Sequence, residues 1–112
     1  MLSQLAENFV KNLFDQKNIK VLTQNFRHVG FEIDLIVQDK DQNLIAVEVK
    51  YRSDITKNLD QLISRKKMLA LQRGLDFYEQ RHFTHVQNKR IDLAIVSQKA
   101  RGFYLFKYIV GN

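Results

Sequence analysis

Apolar residues near the start of the chain recur every three or four positions, which is the spacing of one face of a helix. They are Leu5, Ala6, Phe9, Val10, Leu13 and Phe14. The pattern predicts a helix over residues 3–17. Ser3 is a suitable N-cap residue, and Asn18 can adopt the left-handed conformation that ends a helix.

The next segments alternate in character and are rich in β-formers, which predicts strands over 19–26, 31–37 and 44–51. The polar connection QDKDQN joins the second and third as a hairpin, although it lacks an Asn-Gly turn signal. A helix is then expected from about Leu59 or Ser64 to about Gln80. Its apolar positions include Leu62, Met68, Leu71, Leu75 and Tyr78, and its polar face holds Arg65, Lys66, Lys67 and Arg73.

The remaining apolar runs predict two more strands. The run IDLAIVS (91–97) has the character of an inner strand covered on both faces, and FYLFKYIV (103–110) forms the last strand. The predicted order is α-β-β-β-α-β-β, a mixed sheet flanked by helices in a single domain over 1–112.

Composition narrows the function classes. The chain has no Cys, which excludes disulfides, zinc knuckles and thiol catalysis. The first residues do not form a secretory signal and no apolar run could span a bilayer, so we expect a cytoplasmic protein with no membrane partner. The 18 Lys and Arg against 12 Asp and Glu give a net charge of +6. This excess favours an anionic partner such as nucleic acid, with solubility alone as the alternative.

Four charged residues alternate with apolar residues along the two strands of the predicted hairpin. Glu32 and Asp34 share one face of their strand, and Glu48 and Lys50 share one face of theirs. If the hairpin is centred on Asp41, Asp34 lies opposite Glu48 and Glu32 lies opposite Lys50. Two facing carboxylates repel each other unless a cation lies between them, and such oxygen ligands suit Mg²⁺ or Mn²⁺.

The alternative is a solvated outer strand face, which alternating acids and lysines also produce. For Glu32 alone we favour that alternative. For Asp34, Glu48 and Lys50 we favour a metal site, because the apolar residues Ile36, Leu44 and Ala46 at nearby even positions indicate a partly covered face.

These residues resemble a known family. Asp34, followed after thirteen residues by Glu48-Val49-Lys50, looks like the core of the PD-(D/E)XK nucleases. The longer string NFRHVGFEIDLIVQDKDQNLIAVEVKYRS resembles the YraN family of small bacterial proteins, which are similar to archaeal Holliday junction resolvases. Lys66 and Arg90-x-Asp92 also fall at the family's spacing, so the resemblance runs from about Glu7 to about Asp92.

The resemblance implies a restriction-endonuclease-like fold and a DNA endonuclease that uses Mg²⁺ or Mn²⁺. Asp34, Glu48 and the Val49 carbonyl would hold the metal, and Glu7 matches the family's acidic residue on the first helix, with a solvent-facing role as its alternative. Lys50 would orient the attacking water or stabilise the pentavalent phosphate. The chain departs from the family at Phe31, usually Gly, at Lys67, usually Gln, and at Gly74, usually a small Ala-like residue.

The resemblance to resolvases also suggests branched or structured DNA as substrate and a homodimer, with the apolar last strand as an edge for pairing. Candidate phosphate contacts are Arg27, Arg52, Arg65, Lys66, Lys67 and Arg73. Tyr51, Phe77, Tyr78 and Phe103 are expected in or beside the core, with stacking on bases as the less favoured alternative. The rival function is a module that binds nucleic acid or a partner within a DNA-processing complex, with weak or no catalysis.

Overall fold

A computed structural model describes residues 2–52, 63–82, 85–99 and 102–111, with side chains described over 4–52, 63–82 and 85–97. Two helices and five strands follow one another in the predicted order: α1 (Leu2–Gln16), β1 (Lys20–His28), β2 (Phe31–Gln38), β3 (Asn43–Tyr51), α2 (Arg65–His82), β4 (Asn88–Lys99) and β5 (Gly102–Gly111). The fold class is therefore confirmed. Neither helix has both the length and the apolarity needed to cross a membrane within the described ranges.

The helix ends follow the local sequence. Asn18 has a φ of 60°, and the Ile19 amide donates to the Phe14 carbonyl at 2.9 Å, so α1 ends in a left-handed cap as predicted. At its other end α1 begins at Leu2, so Ser3 lies within the first turn and is not the cap. The Lys67 amide donates to Ser64 Oγ at 3.0 Å, which makes Ser64 the N-cap of α2. The alternative start at Leu59 and the apolar position Leu62 lie outside the described residues.

The five strands form one sheet in the order β1-β2-β3-β4-β5. Only the β3–β4 neighbours run parallel, and α2 connects them across one face of the sheet. Helix α1 covers the other face with Ala6, Val10 and Phe14, while α2 packs Leu71, Leu75 and Tyr78 against its own face. All of 91–97 is buried, as expected for an inner strand. Strand β5 lies at one edge of the sheet.

The β2–β3 hairpin has the predicted register. Leu35 pairs with Val47 and Gln38 pairs with Leu44, which centres the hairpin on Asp41. In place of an Asn-Gly turn, Asp39 accepts hydrogen bonds from the amides of Asp41 and Asn43 at 3.0 and 2.9 Å.

The predicted alternation along β2 is wrong at one point. Phe31 and Ile33 contact Gly74 of α2, whereas Leu35 and Val37 pack in the core beneath α1. Residues at odd positions therefore do not share one face throughout the strand. The change occurs at Asp34, where pairing with β3 also stops, and such interruptions re-aim a side chain out of the regular pleat.

Candidate active site

Asp34 lies where β2 and β3 separate. The last hairpin pair on this side is Leu35–Val47, and beyond it the Val49 amide donates a hydrogen bond to Asp34 Oδ2 at 2.8 Å. The Asp34 carboxylate thus occupies the place that a backbone carbonyl would take in a continuous ladder. This holds the carboxylate against β3 beside Glu48.

Glu48 is a buried carboxyl, with 5% of its surface exposed, and it interacts with the carboxyl group of Asp34. Burial raises the pKa of Glu48 to about 7, helped by the charge of Asp34 and by their shared hydrogen bond. Lys67 and Lys50 oppose this rise but do not overcome it. The two carboxyl groups predicted to face each other therefore interact, and burial favours the protonated form of Glu48.

Two ammonium groups flank Glu48. The Nζ atom of Lys50 lies 3.4 Å from Glu48 Oε2, and the Nζ atom of Lys67 lies 3.7 Å from the same oxygen. Both lysines are partly buried. Lys50 lies where the sequence predicted it, but the placement of Lys67 on the outer polar face of α2 is wrong. Lys67 precedes the buried Leu71 by four residues, and this helical spacing is the signal that could have placed it facing the sheet.

Glu7 of α1 lies within electrostatic reach of Asp34 and Glu32. Its Oε1 atom is buried and has no hydrogen-bond partner among the described residues. Burial raises the pKa of Glu7, as do the negative charges of Asp34 and Glu32. Glu7 therefore has one buried oxygen and a negative neighbour in Asp34, while its role in the site stays a prediction.

Glu32 takes a different partner from the predicted one. Its Oε1 atom lies 3.3 Å from Nε of Arg27 on the neighbouring strand, and Lys50 pairs with Glu48 instead. The expected Glu32–Lys50 pair is wrong because the β2–β3 ladder ends before reaching these residues. Glu32 and Arg27 are both exposed and lie at the margin of the site.

The remaining basic candidates do not converge on the carboxylates. Arg52, Arg65, Lys66 and Arg73 are exposed. Arg52 donates to the Tyr51 carbonyl at 2.7 Å, and Arg65 begins α2 two residues before Lys67. None of them forms a described ion pair with the acids of the site.

The Arg90-x-Asp92 motif forms a structural pair. Arg90 Nε lies 2.9 Å from Asp92 Oδ1, and a second nitrogen lies 3.2 Å from Oδ2, while Asp92 is 1% exposed. Asp92 is the β4 partner of Val47. Both residues lie on β4, so this two-pronged contact stays within one strand and balances the charge of the buried Asp92.

The acids suit a divalent cation chemically, although they are not gathered as a complete cage. Within the described ranges no three His, Asp or Glu side chains are grouped closely enough to hold an ion by themselves. Mg²⁺ ordinarily takes one or two protein carboxylates and completes its shell with water and substrate phosphate. The contacting pair Asp34 and Glu48 meets that need, and the unpartnered oxygen of Glu7 is a further donor nearby.

Comparison with known proteins places the chain in one family. The model described as "Uncharacterised protein family UPF0102" matches residues 6–96. A UPF0102 protein from Carboxydothermus hydrogenoformans is 30% identical over 96% of this chain and 91% of its own length. One from Syntrophus aciditrophicus is 31% identical over 88% of this chain and 78% of its own length. The match covers every residue of the site described above, and the chain belongs to the UPF0102 (YraN) family, as its sequence resemblance predicted.

Proposed function

We propose that this protein is a metal-dependent endonuclease that hydrolyses phosphodiester bonds of DNA. The observation that carries the proposal is the contact between Asp34 and Glu48, with Lys50 and Lys67 within 4 Å of the same Glu48 oxygen. A partly covered pair of acids beside two cations matches the requirements of phosphoryl chemistry. That chemistry needs a metal site and positive charge facing the developing negative charge.

Asp34, Glu48 and the Val49 carbonyl would hold the cation, with Glu7 as an additional oxygen donor. Bound Mg²⁺ or Mn²⁺ would supply an activated water and neutralise phosphate charge. The Val49 amide fixes the Asp34 carboxylate in place, so the site needs little rearrangement to present its oxygens.

Lys50 and Lys67 act on the phosphate. In the protein alone both ammonium groups lie against Glu48. With a cation held by Asp34 and Glu48, the two lysines would be available to the substrate phosphate. Lys50 then orients the attacking water or stabilises the pentavalent phosphate, and Lys67 adds a second positive charge to the same region.

DNA is the proposed substrate because of the chain's charge. The net charge is +6, exposed Arg52 directly follows β3, and exposed Arg65 and Lys66 lie in the first turn of α2 beside Lys67. Basic side chains near a carboxylate site compensate for its repulsion of phosphates. Branched DNA and a homodimer paired through the edge strand β5 follow from the resemblance to resolvases, and the position of β5 at the sheet edge supports the second.

A second candidate is a binding module without catalysis. It is favoured by two observations: Lys50 and Lys67 already lie against Glu48, and the described acids form no three-ligand cage. In that case the lysines and acids stabilise the separation of β2 and β3, and the basic surface binds nucleic acid or a partner.

A cleavage panel tests the proposal. Purified protein is incubated with single-stranded, duplex, flap and four-way DNA in Mg²⁺, in Mn²⁺ and in chelator, with Asp34→Asn prepared identically as the control. We expect metal-dependent cleavage of at least one form by the wild type and none by the variant. Equal cleavage by both would assign the activity to a contaminant, and binding without cleavage of any form would favour the binding module.

A further inference from the structure

A groove on the α2 side of the sheet lies apart from the carboxylates. It runs between the β1–β2 turn and α2, with a volume of about 370 Å³, and is lined chiefly by His28, Phe31, Arg73, Asp76, Phe77 and Gln80. Val29 at its rim is 91% exposed. None of these residues has a part in the proposed hydrolysis.

The rings in the groove are stacked from the core outward. Phe26 contacts the buried Tyr78 edge-on at 5.3 Å between centroids and stacks on Phe31 at 5.8 Å. His28 lies 4.4 Å from Phe77 and is nearly parallel to Phe31 at 5.8 Å. A ring cluster of this kind often belongs entirely to the core. Here the outermost ring, His28, is exposed, so the stack ends at the surface.

Positive charge and hydrogen-bonding groups accompany the rings. Arg73 lines the groove, and the Cζ atom of Arg81 lies 4.4 Å from the centroid of the Phe77 ring. Gln80 offers an amide donor and acceptor. Asp76 pairs with Lys89 at 2.7 Å, and the same ammonium group lies 2.8 Å from Glu79, so part of the negative charge of Asp76 is offset.

We propose that this groove binds an unpaired nucleobase of the DNA, stacked on His28 with its phosphate at Arg73. The inference rests on the proposed function only in taking DNA as the ligand. Aromatic rings bind bases of any sequence, because every base has a π-face, and an adjacent cation binds the backbone. A paired base is already stacked within its duplex and cannot enter, so the groove selects a strand end, a gap or a branch point.

The position of the groove relates it to the site. Phe77 follows Lys67 by ten positions on α2, which is about 15 Å along a helix at 1.5 Å per residue. In a duplex strand, which advances 3.4 Å per nucleotide, that distance corresponds to about four nucleotides. When an unpaired base occupies the groove, the phosphodiester bond about four nucleotides away therefore lies at the carboxylates. A substrate with a junction between paired and unpaired DNA allows both contacts at once.

Fluorescence of 2-aminopurine, a base analogue quenched by stacking, tests this without any cleavage. The probe is a duplex with a short single-stranded tail that carries the analogue, titrated with protein in chelator. We expect quenching by the wild type, and a loss of tail affinity of about five- to a hundredfold in His28→Ala, since alanine substitution of a stacking ring has effects of this size. His28→Phe should retain quenching and affinity. His85→Ala, an exposed histidine elsewhere, is the matched control.

Three results would overturn the inference. They are unchanged quenching in both His28→Ala and Phe77→Leu, an equal loss of affinity for tailed and fully paired DNA, and a His28→Ala effect on self-association in sedimentation rather than on DNA. The outcome is separable from that of hydrolysis. Quenching by a protein that cleaves nothing would leave the groove assigned and the nuclease refuted, whereas cleavage without quenching would do the reverse.

Discussion

Gly74 of α2 packs directly against the Phe31 ring of β2. A Cβ atom added at Gly74 would lie 2.8 Å from Cδ1 of Phe31 and 2.9 Å from Cδ1 of Ile33. The Phe31 ring therefore fills the space that a side chain at position 74 would need, which explains a glycine in the middle of a helix.

Gly74→Ala should therefore destabilise the protein despite the better helix propensity of alanine. Overpacking against Phe31 costs about 1–3 kcal/mol, against a propensity gain of about 1 kcal/mol. In a Phe31→Ala background the same substitution should become neutral or stabilising, because the ring is gone and the end of Ile33 can rotate. Urea unfolding of the four proteins of this double-mutant cycle measures the difference. Equal effects of Gly74→Ala in both backgrounds would show that the contact does not determine the glycine.

Much of the fold follows from local pattern. The Asp41-centred register could be predicted because a one-residue slip would turn the apolar positions of both strands to the wrong face. Asn18 and Ser64 could be identified as helix termini because their side chains suit those backbone positions. Each of these features depends on residues close together in sequence.

The misplaced features depend on contacts between distant elements. The face change at Asp34 arises where β2 leaves β3, and no spacing within β2 reveals it. The charge of Lys67 predicts a position on the polar face of α2, whereas its spacing from Leu71 turns it toward Glu48. Glu32 pairs with Arg27 rather than with Lys50, because the pairing of β2 with β3 stops at Leu35 and Val47. Periodicity could not foresee where the ladder stops.

Stability should fall as the pH rises from about 5 to 8. The folded-state pKa of Glu48 is about 7, above its ordinary value of 4.5, so folding favours the protonated form. The stabilisation is complete below pH 4.5 and is lost as the pH rises through 7, with an upper limit of about 3 kcal/mol. Urea unfolding across this range should show a smaller pH slope in Glu48→Gln. Asp39→Asn is the control. Burial raises the pKa of Asp39, but hydrogen bonds from Asn43 and Asp41 outweigh this effect and lower the pKa, so Asp39 titrates below this pH range. A slope that is unchanged in Glu48→Gln would assign the titration elsewhere.

Mn²⁺ should raise the melting temperature, and more so at pH 8 than at pH 6. The cation relieves the repulsion between Asp34 and Glu48, but it competes with the proton on Glu48 at the lower pH. Differential scanning calorimetry with and without Mn²⁺ measures this. Asp34→Ala should show no metal-dependent shift at either pH. Identical shifts in the variant and the wild type would place the cation outside this pair of acids.

The salt dependence of DNA binding should reveal the contribution of α2. Lys66 is exposed and Arg65 lies beside it, whereas Lys40 is an exposed lysine on the β2–β3 turn. Lys66→Ala should reduce the slope of log K against log salt by about 0.9, as for one phosphate contact, and Lys40→Ala should leave it unchanged. Fluorescence anisotropy over a range of salt concentrations gives both slopes. The opposite order would move the binding surface from α2 to the hairpin turn.

Lys50 separates the nuclease from the binding module most directly. Asp34→Asn and Glu48→Gln remove metal ligands together with negative charge. They should abolish cleavage yet leave DNA binding intact or slightly tighter, because repulsion of phosphate decreases. Lys50→Ala should leave metal binding nearly unchanged, since an ammonium group cannot ligate a cation.

The cleavage rate of Lys50→Ala should nevertheless fall by about 10²-fold or more, as for the loss of one group that stabilises transition-state charge. Its DNA affinity should fall only modestly, because Lys50 is partly buried against Glu48 and supplies one phosphate contact among many. Lys66→Ala, an exposed lysine on α2, is the control that should change affinity without changing the rate of bound substrate. Single-turnover cleavage and anisotropy on the same preparations measure rate and binding separately. Mn²⁺-dependent cleavage that survives Lys50→Ala at full rate would refute the proposed role, because Lys50 would then behave as any other surface lysine.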